Sequence, residues 1–242
     1  MELLIAHSIG QPKEFVFFHP EYRLTFFEYL KLRYCIYLRQ KNYPIAYITK
    51  RKEFYGLDFY VNKHVLVPRP ETEMVVDEII CHCEGVRTTE AISSLSLRGV
   101  ATTKQTRLPV IERNENDILL IDVGTGSGCI PISLIKTLEP NNNITIIATD
   151  ISRSALRVAK INAKKHNVKI NFLYGNLLEP IFNEFNNGTT RLPTPGTGGQ
   201  VEQWNNVIIT ANLPYLTARQ FQNEPSIQHE PKKALIADNA DG

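Results

Sequence analysis

The tetrapeptide Asn212-Leu213-Pro214-Tyr215 follows an apolar run at 207–211 that is typical of a buried strand. The Asn212 side-chain oxygen and the carbonyl of the next residue can both accept hydrogen bonds from one amide or amine nitrogen. Pro214 would lock the backbone there, and the Tyr215 ring would back the group that is held. The pattern predicts a binding site for a planar –NH2 group, in which the nitrogen lone pair faces an electrophile.

A glycine-rich stretch, Asp122–Gly128, lies between an apolar run and a helical pattern. Its three glycines let a backbone turn sharply and approach a ligand closely. An ordinary strand-to-helix turn can have the same glycine pattern. Asp150 ends the next predicted strand, where a carboxylate can accept a ribose diol or simply cap the helix that follows. The G-x-G-x-x-G spacing of dinucleotide sites is missing, so S-adenosylmethionine, which has no phosphate, fits better. Together the two motifs predict an N-methyltransferase.

Strand and helix patterns alternate through the second half of the chain, which predicts an α/β fold with a parallel, doubly wound sheet. The predicted strands are 118–122, 144–149, 170–173 and 207–211, and the predicted helices are 129–138 and 152–166.

The first part of the chain has a different pattern. Residues 1–40 are predicted to form a small helical unit, mainly from the helical spacing of apolar residues over Tyr22–Arg39, and Pro44 is predicted to end it. Strands are predicted at 45–49, 53–61 and 65–67, with a helix over Thr72–Cys81 after Pro70.

Two stretches, about 84–116 and 186–205, lose all periodicity and share the tetrapeptide Thr-Arg-Leu-Pro, at 106–109 and 190–193. We expect surface insertions there, because structureless loops of this length are unusual inside a domain. They are interpreted as descendants of one translated repeat, with chance similarity as the alternative.

Composition narrows the class of protein. Lys and Arg number 27 against 25 Asp and Glu, so a net charge of +2 does not indicate a polyanion-binding protein. The four cysteines form no CxxC pair, so free thiols and no metal are expected. No signal peptide and no apolar run of about 18 residues is visible, which predicts a soluble, cytoplasmic protein with no membrane contact.

Several longer motifs resemble those of the HemK/PrmC family of release factor glutamine methyltransferases. They are Asp122–Ile130, Ala148–Ser152, Asn212–Tyr215, Pro44–Thr49, Glu53–Phe59, Val65–Glu73, Glu230–Leu235 and Asp241-Gly242. The resemblance implies a Rossmann-like class I methyltransferase sheet. It also implies a helical substrate-recruiting domain at 1–43, a β-hairpin linker at 44–73 and a methyltransferase domain at 74–242 that carries the two insertions.

The resemblance further implies methyl transfer from S-adenosylmethionine to the glutamine amide of the Gly-Gly-Gln motif in peptide chain release factors. Asn212 and Tyr215 would be the catalytic residues, and the whole tetrapeptide from Asn212 through Leu213 and Pro214 to Tyr215 would bind substrate. The residues implied in cofactor binding are Gly124, Thr125, Gly126, Ser127, Gly128, Asp150, Asn176, Leu177 and Asn212.

Three departures from the family pattern leave alternatives open. Leu213 replaces the usual Pro, Lys50 stands where Gly is usual, and the chain ends before about three further strands, so C-terminal truncation is expected. Asn-Leu-Pro-Tyr also occurs in enzymes that methylate adenine in ribosomal RNA. Methylation of that adenine or of a ribosomal-protein glutamine is therefore an alternative, as is a truncated, non-catalytic cofactor-binding protein. The charge disfavours nucleic acid as the direct substrate.

Overall fold

A computed structural model describes residues 1–85, 100–102, 118–138, 144–186 and 206–237. The helices are α1 Glu2–Ile9, α2 Lys13–Phe18, α3 Phe26–Gln40, α4 Ile45–Thr49, α5 Glu73–Gly85, α6 Cys129–Leu138, α7 Arg153–Lys165, α8 Glu179–Asn186 and α9 Ala218–Asn223. The strands are β1 Arg51–Phe54, β2 Leu57–Tyr60, β3 Val100–Thr102, β4 Ile118–Val123, β5 Ile144–Asp150, β6 Asn171–Tyr174 and β7 Asn206–Ala211. Short 3-10 turns lie at Pro70–Thr72, Pro225–Ile227 and Lys232–Ala234.

The main sheet has the order β3-β7-β4-β5-β6, and its last four strands run parallel. Every residue of β4 is buried, which requires cover on both faces of the sheet. Ile118 and Leu120 pack into one apolar cluster, while Leu119, Ile121 and Val123 pack into another. This alternation confirms the predicted parallel, doubly wound sheet, with helices folding back onto it.

A strand lies inside the first predicted insertion. Val100–Thr102 pairs antiparallel with β7, so Ala101 faces Ile209 in the register. The periodicity of the sequence gave no sign of this strand, because three residues are too few to show an alternation. Helix α5 also runs on to Gly85, past the predicted start of that insertion. The rest of both predicted insertions falls outside the described residues.

The first helices agree with the predicted helical unit. Thr25 begins α3 with a capping box, in which its hydroxyl accepts from the Glu28 N–H while the Glu28 carboxylate accepts from the Thr25 N–H. The predicted strand at 45–49 is wrong, because these residues form α4. Pro44 starts this helix rather than ending an earlier one, which agrees with the fit of a fixed φ at a helix N-terminus.

A tight hairpin joins β1 and β2 through Tyr55 and Gly56, which have φ values of 51° and 68°. Two positive φ angles in a two-residue loop match a type I′ turn, which suits the twist of a hairpin. Tyr55 donates its backbone N–H to Glu73 (2.9 Å) and its hydroxyl to Asp77 (2.7 Å). Within the predicted linker 44–73, the hairpin itself is therefore confined to Arg51–Tyr60.

The predicted strand at 65–67 is also wrong, since no strand forms there. Val65 and Val67 are buried, but their backbones make other contacts. The carbonyl of Val65 accepts from the Tyr47 hydroxyl (2.6 Å), and the N–H of Val67 donates to the Glu230 carboxylate (3.1 Å). Hydrogen bonds from side chains thus satisfy backbone groups that a neighbouring strand would otherwise pair with.

Two compact units divide the described chain. One contains Met1–Lys52, Tyr60–Val67 and the chain from Pro214 onward, and the other contains Glu53–Phe59 and the described part of Pro68–Leu213. The domain boundaries implied by the resemblance stay a prediction. Across the described ranges, no helix is both long enough and apolar enough to cross a membrane.

Candidate active site

The carboxyl ends of β7, β4 and β5 meet at one edge of the sheet. Val123 pairs with Ala211 on one side and with Thr149 on the other. The residues that follow, Gly124 and Asn212, therefore leave neighbouring strands side by side. The chain order reverses between β4 and β7, and ligands of parallel α/β sheets bind in the crevice at such a reversal.

The glycine loop needs its glycines for two separate reasons. Gly124, Gly126 and Gly128 have φ values of 71°, 57° and 78°, a region that other residues enter only with strain. Gly128 also packs closely against α6 and α7: a Cβ there would lie 3.2 Å from Ile132 Cδ1 and 3.3 Å from Ala159 Cβ. The loop is therefore held tightly to the helices behind it.

Hydrogen bonds fix the same loop from two sides. The Thr149 carbonyl accepts from the N–H groups of Gly124 (2.9 Å) and Thr125 (3.0 Å). Behind the loop, the buried Asn162 amide donates to the Ser127 carbonyl at 2.9 Å. These hydrogen bonds fix the loop backbone, and a fixed backbone loses less conformational freedom when it binds a ligand.

Asp150 connects the glycine loop to the start of α7. One carboxylate oxygen accepts the N–H of Gly126 (2.9 Å), and the other accepts the N–H of Ser152 (2.7 Å), the N-cap residue of α7. Burial raises the pKa of Asp150, and these two donors act against that rise. Each oxygen has a second lone pair. The predicted ribose contact remains compatible with this arrangement and stays a prediction.

Asp122, the first residue of the glycine-rich stretch, is a further functional candidate for which the sequence predicts no role. It is 1% exposed, and its Oδ1 accepts from the Thr210 hydroxyl at 2.6 Å. Its Oδ2 and the Thr125 hydroxyl have no hydrogen-bond partner among the described residues. Burial raises the pKa of Asp122 to about 6, while the hydrogen bond from Thr210 opposes this rise and the Asp150 charge adds to it. The position of an acid at the end of an apolar run could have identified Asp122 from the sequence.

Exposed apolar side chains lie where the resemblance implied adenine binding. Asn176 and Leu177 are both exposed, and Leu177 has a φ of 47° while its carbonyl accepts from the Thr149 hydroxyl at 2.9 Å. Ile151, directly after Asp150, is 54% exposed and was not predicted. An exposed apolar residue at this edge of the sheet offers a face for a flat ring. Adenine contact by Asn176 and Leu177 stays a prediction.

The tetrapeptide after β7 lies open to solvent. Asn212 is exposed, Leu213 is 43% exposed and Tyr215 is 70% exposed. Leu213 Cδ2 lies 3.6 Å from the position that a Cβ on Gly124 would occupy. The structure therefore brings Asn212 and Leu213 to the glycine loop. The predicted packing of Tyr215 against a substrate amide stays a prediction.

These residues suit S-adenosylmethionine. The edge offers a ligand backbone without side chains at three positions and exposed apolar surface for a purine. No group of three or more His, Cys, Asp or Glu side chains able to hold a metal occurs in the part of the chain that the structure describes.

Known proteins with similar sequences point the same way. Residues 114–187 match a family described as "Methyltransferase domain". The chain is 34% identical to a "Bifunctional methyltransferase" of Rickettsia bellii over 98% of its own length and 38% of that protein. It is 30% identical to a "Release factor glutamine methyltransferase" of Mycoplasma mycoides over 98% of its length and 67% of that protein.

The chain thus spans about two fifths of its bifunctional relative and two thirds of the second one. Among solved structures, it is similar to a tRNA (uracil-54, C5)-methyltransferase of Pyrococcus abyssi in complex with S-adenosyl-L-homocysteine. That likeness has 14% identity and a TM-score of 0.30, and covers 52% of this chain and 23% of the other.

Proposed function

The chain belongs to the release factor glutamine methyltransferase family, and we propose that it transfers a methyl group from S-adenosylmethionine to a glutamine side-chain amide in a peptide chain release factor. The glutamine of the Gly-Gly-Gln motif is the proposed acceptor. Membership of this family also agrees with the class I methyltransferase fold and the methyl donor expected from the sequence.

One observation carries this proposal: the Asn-Leu-Pro-Tyr tetrapeptide and the glycine loop leave adjacent strands together. Ala211 pairs with Val123, and the Leu213 side chain reaches the backbone of Gly124. Neighbouring strands are about 5 Å apart, so an amide held by Asn212 would lie within a few ångströms of a ligand on the loop. This proximity supports direct transfer between the proposed donor and acceptor sites.

Asn212 and Leu213 would hold the nucleophile. The Asn212 side-chain oxygen and the Leu213 carbonyl supply two acceptors for the two hydrogens of one –NH2 group. An amide nitrogen is a poor nucleophile because its lone pair is delocalised. Two acceptors orient that lone pair and stabilise the positive charge that develops on nitrogen as it attacks.

The bound cofactor supplies an electrophilic methyl group on a sulfonium. Within the chain, the loop from Gly124 through Thr125, Gly126 and Ser127 to Gly128 would hold its methionine part, and Asp150 its ribose. Asn176 and Leu177 would flank its adenine. No general base is assigned, since the proton can leave to solvent once the nitrogen has become positively charged.

The test is transfer of labelled methyl from S-adenosylmethionine to the isolated Gly-Gly-Gln domain of a release factor, with the modified residue located by mass spectrometry. A domain in which Gly-Gly-Glu replaces the motif is the matched control, because it keeps the fold and loses the amide. Label on the first domain and none on the second is the expected result.

Other outcomes separate the alternatives. Label on ribosomal RNA with none on the release factor would assign the chain to adenine methylation. Label on a ribosomal-protein glutamine alone would change the substrate and keep the chemistry. Tight cofactor binding by calorimetry with no transfer to any of these substrates would identify a non-catalytic cofactor-binding protein.

A further inference from the structure

The segment after the Asn-Leu-Pro-Tyr tetrapeptide folds back so that its two ends meet. Leu216 donates its N–H to the Leu235 carbonyl (2.9 Å), and its own carbonyl accepts from the Ala237 N–H (3.2 Å). Leu216 also forms an isolated parallel bridge with Ile236. Because Leu216 directly follows Tyr215, the end of the tetrapeptide is fixed by residues near position 236.

Two adjacent residues clamp this segment within its own unit. Glu230 is 4% exposed, and its Oε2 accepts from the Val67 N–H at 3.1 Å. The His229 ring stacks on Tyr43, with centroids 3.9 Å apart and an angle of 23° between the rings, and its Nε2 lies 2.7 Å from the Lys41 carbonyl oxygen. Neither contact is local in sequence, so each one restricts the segment strongly.

The Glu230 contact is costly to replace. A backbone N–H that loses its only acceptor inside a protein costs roughly 1–3 kcal/mol, and more when the acceptor was charged. Val67 is 6% exposed, so water cannot easily take over. Val67 also directly precedes Pro68, the first residue of the Pro-Arg-Pro-Glu-Thr-Glu motif. The Glu230 carboxylate therefore links the segment after the tetrapeptide to the residue that precedes this motif.

We propose that Glu230 and His229 are positioning residues for the methyl acceptor. They hold the 216–237 segment, that segment holds Leu216, and Leu216 fixes the backbone that leads from Asn212 through Tyr215. This inference rests on the proposed function. Transfer to an amide depends on alignment, and a misplacement of about 1 Å can lower the rate about a hundredfold.

The first test compares two substitutions of Glu230. Glu230→Gln keeps an oxygen that can accept from the Val67 N–H, whereas Glu230→Leu fills the same space without one. We expect Glu230→Leu to lower kcat for the release factor domain about tenfold to a hundredfold, and Glu230→Gln to lower it less. The KM for the domain and the affinity for S-adenosylmethionine should stay within about twofold, because the Glu230 bond to Val67 involves none of the proposed binding residues.

A matched control lies in the same segment. Glu224 is exposed, and its side chain accepts from the Ser226 hydroxyl at 2.7 Å, so Glu224→Gln should leave kcat unchanged. For His229, Phe keeps the ring stacked on Tyr43 and removes the hydrogen bond to Lys41, while Ala removes both. We expect the loss of kcat to be larger for His229→Ala than for His229→Phe.

Hydrogen exchange separates positioning from a general loss of stability. In Glu230→Leu, the amides of Leu216 and Ala237 should exchange faster, while amides of the main sheet keep their wild-type rates. A fall in activity that only matches the fall in folded protein would overturn the positioning role, as would an unchanged kcat. If wild-type protein labels no release factor, the proposed function fails, and the positioning role fails with it.

Discussion

The carboxylate of Asp150 accepts the backbone N–H of Gly126 at 2.9 Å, which joins the end of β5 to the middle of the glycine loop. The same carboxylate accepts from Ser152 at the start of α7. One side chain thus supports both the loop and the N-cap residue of a helix. Substitutions of Asp150 must therefore be chosen so that the loss of loop support and the loss of a ligand contact can be told apart.

Asp150→Ala should weaken S-adenosylmethionine binding about a hundredfold, because it removes both the support of Gly126 and the proposed acceptor for the ribose hydroxyls. Asp150→Asn keeps one acceptor oxygen and should weaken binding less, by roughly tenfold. Isothermal calorimetry on the folded variants measures both affinities. Equal affinity in wild type and Asp150→Ala would contradict any role in cofactor binding.

Ser152→Ala is the control for the helix contribution. The Ser152 hydroxyl accepts from the Ala155 N–H at 3.2 Å, so its removal costs the α7 cap about 1 kcal/mol and leaves the Asp150 carboxylate in place. We expect a lower melting temperature with an affinity close to that of wild type.

Lys50→Gly should stabilise the protein. Lys50 ends α4 with a φ of 56°, a left-handed conformation that costs a non-glycine residue about 1–2 kcal/mol. Glycine removes this strain, and its greater freedom in the unfolded chain offsets part of the gain, which leaves about 0.5–1 kcal/mol. Thermal melting of the two proteins measures the difference.

Asn42→Gly is the matched comparison. Asn42 has a φ of 62°, but asparagine tolerates this region better than lysine does. The melting temperature should rise less than in Lys50→Gly. An equal rise in both variants would mean that backbone strain at Lys50 is not the cause.

The parts of the fold that the sequence revealed are those with local signals. A continuous apolar run predicts β4, and the three glycines after it predict the loop, because both patterns act on neighbouring residues. The short helix α4 was misread as a strand. Ile45, Ile48 and Thr49 are β-branched and favour a strand, yet they belong to a helix whose N-cap is Pro44.

Other features depend on residues far away in the sequence. The N–H of Val67 bonds to Glu230, which is 163 positions away, and β3 exists because β7 pairs with it. No local window of sequence contains either partner. The unpartnered oxygen of Asp122 is likewise a property of the assembled site, since it depends on which donors the fold brings near.

Asp122→Asn should stabilise the protein at neutral pH and less so in acid. The folded-state pKa of Asp122 is raised to about 6 from an ordinary 3.8, so the folded state binds a proton more tightly than the unfolded state. The wild type therefore loses stability as pH rises from about 4 to about 6, and the loss is complete above that range. At pH 7.5, the variant avoids a cost of roughly 3 kcal/mol.

Thermal melts of wild type and variant from pH 4.5 to 7.5 give the difference directly. Asn keeps an oxygen for the Thr210 hydroxyl, so the hydrogen bond is matched in the two proteins. Glu224→Gln, which also removes one acid but at an exposed position, controls for net charge. A difference that does not depend on pH would show that the buried carboxylate does not titrate in this range.

Asn212→Ala should lower kcat about a hundredfold or more while the fold is kept, because one of two acceptors for the substrate amide is lost and the nitrogen is free to rotate out of line. Leu213 provides the contrast. Leu213 contributes a backbone carbonyl, and Leu213→Pro keeps that carbonyl. This variant restores the residue that the family resemblance implies. It should keep most of the activity, although it removes the side chain that lies against Gly124. Single-turnover transfer to a Gly-Gly-Gln domain measures both variants, with cofactor affinity measured in parallel. A similar loss in both variants would mean that the tetrapeptide acts through packing on the glycine loop, and an unchanged rate in Asn212→Ala would remove Asn212 from the reaction.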